Sequence, residues 1–103
     1  MVKKISADEF DAISAPDGKN VLVKFFANWC GPCRQFAPVL EKFAAAHPEI
    51  DVYEMDIDSP ENLELISELG VTTVPTVIHL RNGEMVSRVS GFLNLHDLEK
   101  LEL

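Results

Sequence analysis

The sequence predicts an α/β fold in which helices cover both faces of a mostly parallel sheet. Two observations support this prediction. Apolar segments of strand length alternate with amphipathic helical segments in the order βαβαβαββα. The last two strands are separated only by Asn82-Gly83, a dipeptide typical of hairpin turns, so they add an antiparallel edge to the sheet. No repeat or linker divides the chain, and we expect residues 1–103 to form a single domain.

The first strand and helix are indicated by residues that favour helix starts and turns. Residues 2–5 are predicted as a short strand, after which Ser6 and Glu9 match a capping box at the start of a helix. This helix is expected to end near Ser14, and Pro16-Asp17-Gly18 is expected to form the following turn.

The central strand and the longest helix follow that turn. The apolar range from Val21 to Ala27 is predicted as a buried strand. The helix after residue 30 is expected to end before Pro48. Pro38 is expected to bend or locally break it, because proline removes a backbone donor. The apolar positions of this helix are Phe36, Val39, Leu40, Phe43 and Ala44.

The second half of the chain continues the alternation. Ser59 is predicted to cap a third helix, with Pro60 at its first position and Gly70 just beyond its end. Asn94 is predicted to cap the last helix. The strands predicted in this half are Asp51 to Ile57, Thr76 to Leu80 and Met85 to Ser90.

Composition and charge argue against several classes of protein. Apolar residues make up 47% of the chain, which supports a packed core and argues against disorder. The formal net charge of -8 disfavours nucleic-acid binding, since phosphate recognition needs clustered lysine and arginine. The apolar runs are too short to cross a membrane, and no leader peptide is visible at the start. We therefore expect a cytoplasmic protein, although a mature export product without its leader would share these features.

The chemistry is predicted by Trp29-Cys30-Gly31-Pro32-Cys33, which lies between the central strand and the long helix. Two cysteines separated by two residues in such a unit indicate a redox dithiol. Backbone N–H groups at a helix N-terminus stabilise an anion, so a thiol placed there ionises more readily. We expect Cys30 to attack a substrate disulfide and Cys33, inside the helix, to be the more buried resolving thiol.

Two structural roles are alternatives to redox chemistry for the cysteine pair. A structural disulfide would close so short a loop that it would stabilise the fold little. A zinc site would need about four ligands, and His47, His79 and His96 lack the spacing that would complete one. The pattern therefore favours redox chemistry without a metal or another cofactor.

The element order, the W-C-G-P-C segment and the T-V-P-T segment (Thr73 to Thr76) before the hairpin resemble the thioredoxin family along essentially the whole chain. The resemblance implies the thioredoxin fold, a central mixed five-stranded sheet flanked by four helices. It also implies that the Val74-Pro75 peptide bond is cis and lies beside the dithiol; an ordinary proline at a strand start is the alternative. The residues implied to bind substrate are Trp29, Gly31, Pro32, Val74, Pro75 and Gly91.

The function implied by the resemblance is that of a thiol-disulfide oxidoreductase that reduces protein disulfides. Its partners would be disulfide-containing protein substrates and a thioredoxin reductase that restores the dithiol, and the chain would act as a monomer. One alternative within the class is an oxidase-like or isomerase-like member, which the reduction potential would distinguish. A binding module that uses the fold without redox turnover is an alternative from another class.

One pair of positions departs from the family pattern. The family normally has a buried aspartate in the central strand and a lysine in a neighbouring strand, but here Lys24 and Glu54 occupy the matching positions. Because a buried charge requires a partner, we expect Lys24 and Glu54 to pair, and we expect the Lys24 ammonium to lower the pKa of the Cys33 thiol. The proton acceptor would then be Glu54, water or a transiently neutral Lys24. The alternative is that Lys24 extends past the sheet edge into solvent.

Overall fold

The computed structural model describes residues 2–101, and its centre is a five-stranded mixed sheet. The strands are β1 (Lys3–Lys4), β2 (Asn20–Phe26), β3 (Asp51–Asp56), β4 (Thr76–Arg81) and β5 (Glu84–Ser90). Their order across the sheet is β1-β3-β2-β4-β5. The first three strands are parallel, whereas β4 runs antiparallel to β2 and β5 antiparallel to β4. The mixed sheet is confirmed, and each strand end lies within about one residue of the predicted position.

Four α-helices and one short 3-10 helix lie between and after the strands of the described residues. They are α1 (Ala7–Ile13), α2 (Gly31–Ala46), the 3-10 helix Pro60–Asn62, α3 (Leu63–Leu69) and α4 (Leu95–Glu99). Among residues 2–101, no helix combines the length and the apolar character that crossing a membrane requires.

The third helical segment begins at Pro60 with Ser59 as its N-cap, as predicted, but its first turn is a 3-10 helix. Pro60 starts the 3-10 helix, and the α-helical part begins only at Leu63. Asn62 explains the change of geometry, because its side chain is buried and bonded to two other elements. It donates to the Asp56 carbonyl at 2.8 Å and accepts from the Ala7 N–H at 2.7 Å. These two hydrogen bonds hold the 3-10 turn close to the last residue of β3 and the first residue of α1.

Helix α2 runs without interruption through Pro38, so a break at this residue is excluded. Pro38 is exposed, which means that its ring points away from the sheet. The missing N–H removes only one hydrogen bond of a 16-residue helix. The remaining turns are stabilised by the apolar face of the helix, which packs on the sheet.

The side chains of β2 alternate between two hydrophobic clusters. Val21, Val23 and Phe25 belong to the cluster covered by α1 and α3. Leu22 belongs to the cluster covered by α2 and α4. Because the side-chain period of a strand is two, Lys24 points to the same face as Leu22, under α2.

The strand directions bring four chain segments to one edge of the sheet. β2, β3 and β5 all end at this edge, whereas the antiparallel β4 begins there. The edge therefore collects the loop after Phe26, the residues after Asp56, the residues before Thr76 and those after Ser90. This arrangement places the predicted cysteines and Pro75 next to one another.

Candidate active site

The two cysteines lie where β2 passes into α2. Cys30 is the N-cap of α2, and Cys33 lies in its first turn. The Cys30 N–H donates to the Ala27 carbonyl at 3.1 Å, which fixes the loop before the helix. The side chains are joined by a disulfide, with the Cα atoms 5.2 Å apart. The Cys33 N–H donates to Cys30 Sγ at 3.1 Å, so a helix amide points at the sulfur that is expected to become the attacking thiolate.

The expected contrast in exposure between the two cysteines is nearly absent. Cys30 is 4% exposed and Cys33 is 3% exposed. Together with Ala27 they form a small buried cluster against which Val74 and Ile57 pack. The two sulfurs are therefore distinguished by the hydrogen bond that Cys30 Sγ accepts, and hardly by their burial.

The loop before β4 lies against the disulfide through Val74. The Val74-Pro75 peptide bond is cis, as the resemblance implies. Two hydrogen bonds fix this loop: Gly91 N–H donates to the Pro75 carbonyl at 2.8 Å, and Thr76 Oγ1 donates to the Thr73 carbonyl at 2.8 Å. The substrate-binding residues predicted before β4 and after β5 are thus brought together.

Trp29 lies on the surface beside the disulfide. Its side chain is 67% exposed. Its Nε1–H donates to Asp58 Oδ2 at 2.7 Å, which holds the indole in one orientation. Gly31 and Pro32 are the first two residues of α2, where proline needs no N–H donor.

Lys24 and Glu54 form an ion pair beneath the cysteines. They face each other in the register of β2 and β3, with Lys24 Nζ 3.2 Å from Glu54 Oε2. Lys24 is 3% exposed, so the alternative in which it extends into solvent is wrong; Glu54 is 27% exposed. The ammonium also lies 5.4 Å from the Phe26 ring centre and 5.9 Å from that of Phe36, distances that allow cation–π attraction. The ion pair is present, whereas its role in proton transfer stays a prediction.

A cavity of about 210 Å³ connects this ion pair to Cys33. Its lining includes Lys24 of β2 and Glu54 of β3. Three residues of α2 also line it: Cys33, Arg34 and Ala37. The loop residue Asn28 completes the polar lining. Arg34 donates to the Asn28 carbonyl at 2.8 Å, and both residues are exposed, so the cavity reaches the protein surface.

The three histidines lie in other parts of the structure. His47 contacts two carboxylates, Glu49 at 3.4 Å and Glu99 at 3.2 Å. His79 is 1% exposed, and its Nε2 lies 3.0 Å from Asn20 Oδ1. Burial and, secondly, the charge of the neighbouring arginine lower the pKa of His79. Within residues 2–101, no group of three or more histidine, cysteine or acidic side chains is arranged to hold a metal ion.

Sequence reasoning missed three residues of this region. Asp58 follows β3 as Trp29 follows β2, and the parallel pairing of these strands was a signal that could have found it. Asn62 is 2% exposed and carries the hydrogen bonds of the adjoining turn, which no local pattern indicates. Phe92 is 47% exposed and packs edge-on against Phe36 with ring centres 6.0 Å apart. Its position directly after Gly91 places an exposed aromatic at the border of the predicted binding surface.

The reaction that this arrangement can perform is exchange between a dithiol and a disulfide. Two sulfurs within bonding distance can open and close one S–S bond, and a helix amide favours the thiolate form of one of them. The protein is a thiol-disulfide oxidoreductase. More narrowly, the chain belongs to the thioredoxin family, because the family model described as Thioredoxin matches residues 1–101.

Relatives and solved structures agree with this assignment. The thioredoxin of Chlamydia muridarum is 43% identical over 102 residues, which cover 98% of this chain and 95% of that one. Chloroplastic thioredoxin z has a TM-score of 0.86 at 30% identity, covering 97% of this chain and 89% of the other. A third chain, at TM-score 0.84 and 28% identity, covers 96% of this chain and 91% of the other. That chain belongs to a structure that describes the thiol-resolving mechanism of yeast mitochondrial 1-Cys peroxiredoxin via the glutathione and thioredoxin systems.

Proposed function

We propose that this protein reduces disulfide bonds in other proteins, with Cys30 as the attacking and Cys33 as the resolving cysteine. The observation that carries the proposal is the hydrogen bond from the Cys33 N–H to Cys30 Sγ, because it favours a thiolate on the first cysteine. The similar chain from the peroxiredoxin structure supports a protein as the substrate.

The reaction transfers two electrons from the dithiol to the target disulfide. The Cys30 thiolate attacks one target sulfur, the target S–S bond breaks, and a mixed disulfide forms. The Cys33 thiolate then attacks Cys30 Sγ, the Cys30–Cys33 bond forms, and the second target sulfur leaves as a thiolate that takes a proton from water. A thioredoxin reductase returns two electrons and restores the dithiol.

The target binds next to the disulfide as an extended segment. We propose that it pairs with the backbone of the loop before β4, in the way that a peptide adds a strand to a sheet. The binding surface consists of Trp29, Gly31, Pro32, Val74, Pro75 and Gly91. Backbone pairing makes recognition tolerant of target sequence, since every peptide offers the same groups.

The ion pair beneath the cysteines tunes their ionisation. An ammonium near Cys33 favours its thiolate, so Lys24→Met is expected to raise the pKa of that thiol. Thiolate absorbance of the reduced protein measures this pKa directly. Lys4→Met is the matched control, because Lys4 is exposed and lies 5.8 Å from the same Phe26 ring. A thiol pKa that stays the same or falls in Lys24→Met contradicts the assigned role.

Trapping with Cys33→Ser tests the proposed function. Without the resolving thiol, the mixed disulfide at Cys30 persists and can be isolated with its target. The control variant, Cys30→Ser, lacks the attacking sulfur and is expected to capture no target through this route. Absence of mixed disulfides with Cys33→Ser in a lysate that contains oxidised proteins contradicts the proposal.

We further propose that residues 1–103 act as a monomeric single domain in the cytoplasm, where a reductase can supply electrons continuously. Light scattering during size-exclusion chromatography of the reduced protein measures the monomeric state. A dimer that persists on dilution contradicts it.

A further inference from the structure

We propose that Arg88 is a positioning residue for target binding. Its guanidinium holds the end of α3, so that the loop before β4 keeps the shape with which an extended target pairs. This inference rests on the proposed function, because it concerns how that surface recognises a protein. Arg88 would then govern the affinity for protein disulfides and leave the chemistry of the two cysteines unchanged.

Arg88 joins the outer strand β5 to the C-terminal end of α3. Its Nη1 donates to the Leu69 carbonyl at 2.5 Å, and its Nη2 donates to the Gly70 carbonyl at 2.6 Å. The last carbonyls of a helix have no partner within the helix, and the helix dipole favours a cation beside them. The planar fork of the guanidinium therefore satisfies two of these carbonyls at once, which an ammonium cannot do with the same geometry.

The position of Arg88 on β5 directs its side chain toward α3. Arg88 pairs with Ile78 of β4, and Ile78 belongs to the hydrophobic cluster that α1 and α3 cover. Directly paired residues of neighbouring strands point to the same face of a sheet, so Arg88 faces α3 as well. The side chain of Arg88 is exposed, and its substitution therefore opens no cavity in the core.

The end of α3 is also the beginning of the loop that is proposed to bind the target. Gly70 ends the helix with a left-handed φ of 67°, and the Val71 N–H donates to the Ile66 carbonyl at 3.2 Å. The side chain of Val71 is buried in the cluster that α3 covers. Residues 72–74 then connect Val71 to Pro75. A shift of the helix end is therefore passed on to the proline over a short length of chain.

The other end of this loop is held by the last residue of β5 and by the residue after it. The Gly91 N–H donates to the Pro75 carbonyl at 2.8 Å, and Ser90 Oγ lies 3.1 Å from Thr76 Oγ1. One stretch of chain therefore fixes the loop at both ends. Loss of the Arg88 contact frees one end, so the target must order the loop when it binds, and this ordering lowers the affinity.

The hydrogen bonds that fix the cysteines do not involve this contact. The Cys30 N–H donates to the Ala27 carbonyl, and the Cys33 N–H donates to Cys30 Sγ, both within the segment from β2 to α2. A small disulfide such as 5,5′-dithiobis(2-nitrobenzoate) offers no extended peptide backbone to the loop. Comparing a protein disulfide with this reagent therefore separates target binding from thiol reactivity.

The first test mixes the reduced protein with rising concentrations of excess insulin and follows formation of the Cys30–Cys33 disulfide in acid-quenched samples. We expect Arg88→Met to raise the insulin concentration at half-maximal rate about fivefold and to leave the limiting rate unchanged. The reaction with 5,5′-dithiobis(2-nitrobenzoate) should proceed at the wild-type rate. An unchanged half-saturation concentration, or equal slowing with both disulfides, overturns the proposal.

Two further variants separate positioning from stability and from charge. Val39→Ala shortens a partly buried side chain of α2, on the other face of the sheet, and lowers stability without changing the Arg88 contact. It should match the wild type with insulin, and an equal rise in half-saturation concentration would overturn the proposal. Arg88→Lys keeps the charge and loses the fork, so its half-saturation concentration should lie between those of the wild type and Arg88→Met. A wild-type value in Arg88→Lys would show that the contact with two carbonyls is not the cause.

Amide hydrogen exchange tests the position of the helix end in the absence of any target. The Val71 N–H closes the end of α3, whereas Val23 lies in the buried centre of β2. We expect Arg88→Met to accelerate exchange at Val71 relative to exchange at Val23, because only the helix end is released. The same ratio in the variant and the wild type overturns the assigned contact.

The two proposals fail in different ways. If Cys33→Ser traps no protein, the proposed function is wrong, and exchange at Val71 still shows whether Arg88 fixes the helix end. If trapping succeeds and Arg88→Met reacts with insulin as the wild type does, only the positioning role is wrong.

Discussion

On the β4 side of the Cys30–Cys33 disulfide, the neighbouring residues Val74 and Pro75 are apolar, and Val74 packs against the two cysteines. On the β3 side, two opposite charges lie beneath the same disulfide, and the side chain of Lys24 is 3% exposed. The first side is fixed by backbone hydrogen bonds such as Gly91 N–H to Pro75 O at 2.8 Å. The second side depends on the interaction of two particular side chains.

The two sides therefore govern different properties. The β4 side governs binding of the protein target, and the β3 side governs protein stability and the ionisation of the resolving cysteine. Substitutions on the β4 side should mainly change the KM for protein targets, since that surface meets the substrate. Substitutions on the β3 side should change protein stability and the pH dependence of the resolving step, since buried charges respond strongly to loss of a partner.

The largest effect is expected from removing the counter-charge of Lys24. Glu54→Leu leaves a buried ammonium without its partner, and we expect the free energy of unfolding to fall by about 3 kcal/mol. Lys24→Met should cost less, because Glu54 is 27% exposed and can be hydrated. Urea unfolding of the oxidised proteins measures both values.

The double variant Lys24→Met/Glu54→Leu provides the control for this prediction. Replacing both charges by apolar groups of similar size should return most of the stability lost in Glu54→Leu. Equal losses in the two single variants would contradict the proposed asymmetry, since it depends on the difference in burial of the two charges.

An intermediate effect is expected at His79, a buried base whose partner is the neutral amide of Asn20. Burial lowers its pKa in the folded protein, whereas the unfolded chain has the ordinary value of about 6.5. The unfolded state therefore binds the proton more tightly, and stability is lost as the pH falls below about 7 towards the lowered folded pKa.

The difference between the wild type and His79→Gln isolates this effect from the titration of the acidic residues. We expect the stability of His79→Gln to fall less between pH 7 and pH 5, as measured by urea unfolding. Parallel pH profiles for the two proteins would show that His79 is not the group responsible. The rate of the resolving step should not change in this variant, because His79 does not line the cavity behind Cys33.

The fold was predictable because periodicity and cap residues act locally. The alternation of Val21, Leu22 and Val23 between two clusters follows directly from the strand period. The 3-10 turn at Pro60 was not predicted, because Asn62 also bonds to the N–H of Ala7, which is 55 residues away in sequence. Such bonds depend on the tertiary structure and leave no local pattern.

The parts of the candidate site that a sequence motif defines were predictable. The solvent exposure of its residues was not. The cysteine spacing indicated the disulfide, and the apolar surroundings of Lys24 indicated a buried charge with a partner. The nearly equal burial of Cys30 and Cys33 was not foreseen, because it depends on packing of Val74 from the loop before β4. The cavity next to Ala37 likewise depends on how α2 lies over β2 and β3.

The smallest effect is expected from the hydrogen bond between Trp29 and Asp58, which links the loop after β2 to the residues after β3. Asp58→Ala removes the acceptor at 2.7 Å from Trp29 Nε1. Because Trp29 is 67% exposed, the free energy of unfolding should change by less than about 1 kcal/mol. The indole becomes more mobile, and we expect the KM for a protein disulfide to rise about twofold while a small aromatic disulfide reacts unchanged.

The chain contains a single tryptophan, so its fluorescence anisotropy reports this mobility directly. Glu64→Ala, at an exposed position of α3, is the matched control, and an anisotropy unchanged in Asp58→Ala would show that the hydrogen bond does not orient Trp29.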